Sequence, residues 1–231
     1  MAAAGDWLDY WNGDVSLYVS PRHLEAHYHR LIEAIRPLLP DPPFTLLDYG
    51  CGEALMAPTL AAAGGRILLH DAAPSRAAIL RARFASDEAI EVVEDLAAAA
   101  GRCDLVLLIS VIQYVPKAEL AALLGRLRTC LKPGGRLVIG DVLAPGNHVL
   151  ADVHALLRFA AHEGFFLDAL RGLVRTLRSD YGRMRGALGL TTWATADLLA
   201  VLAAQGYDAE PLGWNIGHAG HRRSIVATAR S

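Results

Sequence analysis

Leu46-Leu47-Asp48-Tyr49-Gly50-Cys51-Gly52 decides the fold of this chain. An apolar run ends in a carboxylate and passes at once into two glycines one residue apart. Apolar residues followed by Gly-x-Gly read as a parallel strand turning sharply into a helix, where the backbone comes close to a ligand. The neighbouring acids select among ligands. A dinucleotide-binding turn sets a pyrophosphate against the helix N-terminus, and Asp48 beside it would repel that group. Glu53 follows the turn, and Leu55 stands where the third glycine of G-x-G-x-x-G would be. The turn therefore suits a nucleoside carrying positive charge, and a nicotinamide dinucleotide is disfavoured. An ordinary strand–turn–helix corner with no ligand is the plain alternative, because an isolated glycine pattern is weak evidence.

Further strand ends extend the pattern. Ile67-Leu68-Leu69-His70-Asp71 is a second apolar run ending in an acid, 21 residues beyond Gly50. That separation lets the second strand of a βαβ unit present a carboxylate to ribose hydroxyls. Ile90-Glu91-Val92-Val93 reads as a third strand, followed by Glu94, Asp95 and Leu96, where an adenine amino group could be met. Leu105–Ile109 is apolar on both faces, as a central parallel strand should be, and leads into Ser110-Val111-Ile112-Gln113-Tyr114. Leu131–Gly140 reads as a helix end, a Pro-Gly-Gly turn and a fifth strand.

With these five features in order, the chain resembles the class I S-adenosylmethionine-dependent methyltransferases over residues 44–143 and 195–231. The resemblance implies an α/β fold with a seven-stranded Rossmann-like sheet, mostly parallel with an antiparallel edge strand, plus helical lid segments. It also implies S-adenosylmethionine as cofactor and S-adenosylhomocysteine as product. Gly50 and Gly52 would admit the methionine part, Asp48 would lie near its ammonium, and Asp71 would accept from both ribose hydroxyls. Cys51, Ala72, Asp95, Leu96, Ile109 and Ser110 complete the expected cofactor surface, with Tyr18 reaching it from the N-terminal segment. Asp48 as a helix cap, or Asp71 as the start of the Ala73-Pro74 turn, are the structural alternatives.

The whole chain sets bounds on this reading. Its 231 residues suffice for one α/β domain with embellishments. A net charge of −2 with no basic run gives no reason to expect a nucleic-acid partner. Cys51, Cys103 and Cys130 lack metal-ligand spacing, so no metal is expected, and reduced thiols point to the cytoplasm. No signal-peptide pattern opens the sequence, and no apolar run approaches the roughly 18 residues of a spanning helix, so membrane insertion is not expected.

Four parts follow along the single domain. Residues 1–43 form an N-terminal helical cap, with Ser20-Pro21 starting a helix that runs to about Leu39. Residues 44–143 form the cofactor core, and 144–190 a helical lid insertion. Residues 191–231 supply a helix near Thr195–Gln205 and an antiparallel pair of strands near Tyr207–Pro211 and Ser224–Ala229. Both insertions are placed to close over the carboxyl ends of the strands, although they could equally be packing helices.

The methyl acceptor is narrowed mostly by elimination. Ser110-Val111-Ile112-Gln113 replaces the Asn/Asp-Pro-Pro-Tyr stretch common among enzymes that methylate exocyclic or amide nitrogens. No cysteine ends the fourth or fifth strand, which disfavours carbon-5 methylation of pyrimidines. A small molecule methylated on oxygen or nitrogen remains, and an oxygen acceptor needs a base. Among nine histidines, His27 and His148 are the preferred bases and Gln113 a positioning group; His23 and His218 are further candidates. Arg171, Arg175 and Arg178 recur at helical spacing, with Arg183 and Arg185 beyond. They read as a solvated face or as a surface for an anionic acceptor, and Phe165-Phe166-Leu167 would suit an apolar acceptor or a core. Trp7, Tyr10 and Trp11 could line an apolar pocket or dock the terminus. Two alternatives stay open: another reaction of the same cofactor, and a non-catalytic cofactor-binding protein.

Overall fold

Phe44–Tyr49 form strand β1, in which Phe44, Leu46, Leu47 and Asp48 are buried. A strand apolar on both faces needs cover on both sides, and the rest of the chain supplies it. The computed structural model describes residues 18–146, 149–176 and 189–230. Its sheet contains β2 (Gly65–His70), β3 (Ile90–Val92), β4 (Cys103–Ile109), β5 (Leu131–Val142), β6 (Tyr207–Pro211) and β7 (Arg223–Ala229) besides β1. The seven strands lie in the order β3-β2-β1-β4-β5-β7-β6. β1 pairs in parallel with both β2 and β4, and β7 is antiparallel to β5 and β6. The chain thus winds outward from β1 to β3, then restarts at β4 and proceeds the other way. The crevice at that reversal, at the carboxyl ends of β1 and β4, is where ligands bind in open α/β sheets.

Helices α1 (Pro21–Ile35), α2 (Ala57–Ala62), α3 (Pro74–Arg83), α4 (Lys117–Cys130), α5 (Val149–Glu163), α6 (Phe166–Thr176) and α7 (Thr195–Ala204) cover the sheet and its upper edge. One core layer joins Leu47, Leu68, Val106 and Leu108 to Leu124, Leu127, Leu198 and Leu202. The other joins Leu46, Ile67, Leu69, Leu105 and Leu107 to Ile35, Leu60 and Leu80. Each such leucine, wholly removed from water, contributes about 1.5–3 kcal/mol, against the conformational entropy of ordering it.

Two local departures from the sequence reading have physical causes. α1 starts as expected, with Ser20 Oγ accepting from the His23 amide at 3.3 Å and Pro21 in the first turn. It ends at Ile35 and not Leu39, tightening into a 3-10 turn at Arg36–Leu38 that contains Pro37, whose nitrogen cannot donate. β5 begins directly at the end of α4, pairing Leu131 with Cys103 and then Arg136 with Leu105. The Lys132–Gly135 stretch is accommodated as a bulge within the strand, with Gly134 at φ +72°.

A third, smaller core draws the two insertions together. Ala26 of α1 packs with Ala160 of α5 and with Phe165 and Ala169 at α6, and Val19 and Phe159 close its edge. A Cβ at Gly172 would come within 2.1 Å of Val19 Cγ1, so only glycine lets α6 approach the N-terminal segment this closely. On the outer side of α6, Arg171 is exposed and pairs with Asp168 at 3.3 Å. His148, Trp7, Tyr10, Trp11, Arg178, Arg183, Arg185 and the side chain of Arg175 lie outside the described residues. The three cysteines are free and buried, and no described group of His, Cys, Asp and Glu has a metal-binding arrangement. No described helix is long and apolar enough to cross a membrane.

Candidate active site

The glycine turn is held from β2. Gly50 and Cys51 amides both donate to the carbonyl of His70, at 2.7 and 3.2 Å. Gly52 donates its amide to Asp71 Oδ2 at 3.0 Å, and Ala73 donates to Asp71 Oδ1 at 2.9 Å. Asp71 therefore joins two loops while keeping further lone pairs for a ligand. Gly50 sits at φ +72°, and a Cβ there would lie 2.6 Å from Val111 Cγ2. At Gly52 a Cβ would meet nothing nearer than the Tyr28 hydroxyl at 3.9 Å, which leaves an open cradle in front of the turn.

Asp48 and Glu53 on either side of this cradle are treated differently. Glu53 is neutralised by Arg76 at 2.7 Å, and Arg83 donates to its carbonyl at 2.6 Å. Asp48 is 4% exposed and accepts no hydrogen bond among the described residues. Burial, and secondarily the charge of Asp71, push its carboxyl from 3.8 up to about 7. A buried carboxylate left without a partner is costly and is kept where a cationic ligand completes it. An ammonium would supply the missing charge, an open glycine cradle would admit its neighbouring atoms, and Asp71 keeps lone pairs that ribose hydroxyls could meet. The residues present fit S-adenosylmethionine on these counts.

The rest of the expected cofactor surface is distributed as follows. Ala72 is exposed in the turn after Asp71, while Ile109 and Ser110 are half-buried at the end of β4. Cys51 is buried, and its thiol is pushed well above its usual range by desolvation. Asp95 caps the 3-10 turn Leu96–Ala99 by accepting from the Ala97 amide at 3.0 Å, and the Leu96 side chain lies in the core. From the N-terminal side, Tyr18 packs against His27 at a centroid distance of 5.3 Å, and burial raises its hydroxyl to about 12.

Beside this cradle, over the ends of β4 and β5, lies a cluster of imidazoles. The rings of His23, His27 and His218 form a near-equilateral triangle with centroid separations of 6.4, 6.4 and 6.5 Å. His23 stacks on Phe165 and His218 on Phe159, at 4.7 and 5.0 Å with interplanar angles of 18° and 13°. His23 is structural: it is buried, and its Nδ1 accepts from the Val19 amide at 3.3 Å. His27 and His218 are half-buried and make no hydrogen bond among the described residues. Desolvation lowers His27 from 6.5 to about 4, and lowers His218 as well. Both rings thus keep ring nitrogens that no described residue engages, in surroundings that disfavour their charged form.

The floor of the cluster is strained. Ser110 at φ +56° and Asp141 at φ +61° are non-glycine residues in the left-handed region, and Ser110 Oγ donates to Asp141 Oδ2 at 2.9 Å. Such geometry is held only where surrounding contacts over-determine it. Those contacts include Arg222 Nη1 to Asp141 Oδ2 at 2.6 Å and Asn215 Nδ2 to Asp141 Oδ1 at 3.1 Å. Arg222 also reaches Asp152 of α5 with Nη2 at 2.9 Å, and His221 Nε2 lies 3.0 Å from the same carboxylate. Gln113 is buried in the turn after β4, where its carbonyl accepts from the Thr191 amide at 2.8 Å. Its side-chain Oε1 has no donor, and no hydrogen bond or ring contact joins it to the histidines among the described residues.

Sequence reasoning did not single out Tyr28, Asp141 or Arg222. A signal for Asp141 was present: Leu137–Gly140 is another apolar run that ends in an acid, as at Asp48 and Asp71. Arg222 carried none, because only the closure of β7 against β5 brings residue 222 to residue 141.

Comparison with known proteins bears on the family and the fold. Residues 22–180 match the model of a methyltransferase domain. A ubiquinone biosynthesis O-methyltransferase of Cereibacter sphaeroides is 37% identical over 105 residues, 43% of this chain and 42% of that protein. One from Xanthomonas axonopodis pv. citri is 32% identical over 117 residues, 48% of each chain. The chain thus spans about half the length of the curated relatives it matches. Among solved structures, magnesium protoporphyrin IX methyltransferase of Synechocystis with bound S-adenosylmethionine superposes with a TM-score of 0.62 at 17% identity, covering 100% of this chain and 98% of the other. The 1,6-didemethyltoxoflavin-N1-methyltransferase of Burkholderia thailandensis gives 0.61 at 18% identity, covering 100% and 92%. At these identities the structural likeness speaks to the fold.

Proposed function

Because the chain belongs to the methyltransferase-domain family, we propose that it transfers the methyl group of S-adenosylmethionine to a hydroxyl of a small, uncharged, flat acceptor. The observation that carries this reading is Asp48, buried and without a hydrogen-bond partner among the described residues, behind an open glycine cradle. Relatives named as O-methyltransferases support oxygen as the acceptor atom. Among the described residues, the cations placed near the site favour an uncharged acceptor. Arg222 is committed to Asp141 and Asp152 and Arg76 to Glu53, while His27 stays neutral above about pH 4. A carboxylate entering between them would meet acids and neutral rings. Stacked Phe159–His218 and Phe165–His23 pairs favour a planar guest.

Asp48 would hold the cofactor's ammonium and Asp71 its ribose, with the Gly50–Gly52 backbone and Ala72 against its body and Tyr18 at the pocket side. When bound, S-adenosylmethionine would supply an electrophilic methyl carbon for the acceptor oxygen. His27 is placed to take the hydroxyl proton on a ring nitrogen, with His218 across the pocket orienting the same group. A low proton affinity leaves His27 unprotonated at neutral pH and so always ready to accept. It also suffices for the task, because a hydroxyl becomes a far stronger acid once its oxygen begins to bond to carbon. Packing of α1, α5 and α6 around the rings would exclude water and hold the acceptor in line. His148 remains a second candidate base, on the segment leading into α5.

Methyl-labelled S-adenosylmethionine, incubated with the protein and a panel of neutral phenols, carboxylated phenols and amines, tests this reading. Label recovered as a methyl ether of the neutral phenols is the expected result. Label only in amines, or in protein or RNA added as controls, would overturn it.

A further inference from the structure

The imidazole that takes the acceptor's proton becomes a cation in a place that resists charge. Desolvation is the largest influence on both His27 and His218, so something must offset it when the proton arrives. The residues facing each ring can be named. Around His27 stand His218 from the β6–β7 loop, Asp141 from the end of β5, His23 and Tyr28 from its own helix, and Tyr18 from the segment before it. Around His218 stand Asp141, then Arg222 and His221 from its own loop, and Asp152 from α5. Asp141 is the carboxylate common to both rings.

Its placement is specific. Asp141 is buried to 9% exposure, in a left-handed backbone conformation that a non-glycine residue keeps only where its surroundings hold it there. A Cβ on Gly217, immediately before His218, would lie 3.1 Å from Asp141 Oδ1, so glycine there lets the histidine's backbone settle directly over the carboxylate. Three side chains fix the carboxylate's orientation: Ser110, Asn215 and Arg222. The one cation among them is shared, since the Arg222 guanidinium also bonds Asp152 at 2.9 Å. A guanidinium divided between two carboxylates orients Asp141 without cancelling its charge.

We propose that Asp141 is the fixed counter-charge of the acceptor pocket, a positioning residue that steadies the imidazolium formed on His27 or His218 as the acceptor loses its proton, with Arg222 both aiming it and limiting its strength. The proposal rests on the methyl-transfer reading for the origin of that proton. The electrostatic arrangement itself can be tested without any turnover. In balance, the acceptor O–H bond breaks, its proton passes to an imidazole nitrogen, and the pocket gains one positive charge next to Asp141. The sulfonium charge is lost at the same moment, so positive charge moves across the site and is not created in it.

The test follows the ring protonation of His27 and His218 by NMR of histidine-labelled full-length protein, with each signal assigned from a His→Gln variant. Arg222→Met should raise the midpoint of at least one ring by about half a unit or more, bringing it toward the unperturbed 6.5. Adding Asp141→Asn to that variant should bring the midpoint back down. A merely structural role would move both variants the same way, toward the free-imidazole value, as the pocket opens. Midpoints that stay put in Arg222→Met, or that rise again when Asp141→Asn is added, would overturn the proposal. Binding of S-adenosylhomocysteine measured on the same samples judges the cofactor reading separately: its loss in wild type would sink that reading and leave the titration result standing.

Discussion

Replacing Asp48 by Asn separates what the cofactor turn costs the fold from what it gives to binding. The carboxyl is raised from 3.8 to about 7 by burial and by Asp71. A raised acid destabilises the folded state once ionised: the penalty is absent below the unfolded pKa, grows as pH rises from about 4 to 7, and is constant above. Three pH units at 1.36 kcal/mol each put that penalty at about 4 kcal/mol at pH 8. Asn keeps the shape and never ionises. The variant should therefore be more stable than wild type at pH 8, by up to about 4 kcal/mol, or roughly 8–16 °C in Tm for a chain of this size. Near pH 4 the two should differ by less than about 1 kcal/mol. Binding should move in the opposite sense. An ammonium needs the ionised carboxylate, so wild-type affinity for S-adenosylhomocysteine should fall as pH drops through 7, while the variant should bind at least about tenfold more weakly at pH 8 with a flatter pH profile. Scanning calorimetry and titration calorimetry at pH 4, 6 and 8 read both quantities. Equal stabilisation at all three pH values, or undiminished affinity at pH 8, would refute the reasoning.

Three further outcomes follow from the geometry. Asp71→Ala removes both the ribose acceptor and the bonds to the Gly52 and Ala73 amides, so S-adenosylhomocysteine should bind about tenfold or more weakly by calorimetry. Gly50→Ala places a methyl group 2.6 Å from Val111 Cγ2 at φ +72°; a loss of about 1–3 kcal/mol in denaturant unfolding and a weakened cofactor site are expected. His27→Gln should lower kcat by about 10²–10³ once an acceptor is in hand, while S-adenosylhomocysteine affinity stays within about twofold. Loss of both together would mean that His27 shapes the cofactor site instead of handling the proton.

The sequence made the sheet legible because its central parallel strands are largely apolar, and β1, β2 and β5 carry an acid at or just past their carboxyl ends. Those two signals survive without any knowledge of the fold, and they locate β1, β2, β4 and β5 and their carboxyl ends. The acceptor pocket was legible only in pieces. His27 could be chosen because its segment was expected to face the cofactor. Its relation to His218, 191 positions away, depends on the hairpin of β6 and β7 folding back beside β5, which no local pattern encodes. Asp141 shows the limit most clearly. Its role comes from a left-handed backbone, from a glycine at 217 that allows close approach, and from an arginine shared with α5. Asp48, Asp71 and Asp141 end three strands of one sheet, yet the fold gives each a different electrostatic state. Asp71 is tied to backbone amides, Asp48 is left bare and half-protonated near neutrality, and Asp141 is gripped by three side chains. A bare acid suits a cationic ligand that comes and goes, and a gripped one suits a charge that must stay aimed while a proton arrives. That division follows from the partners each strand end meets, and on the proposed reading cofactor binding and proton handling fall on opposite sides of the β1–β4 reversal.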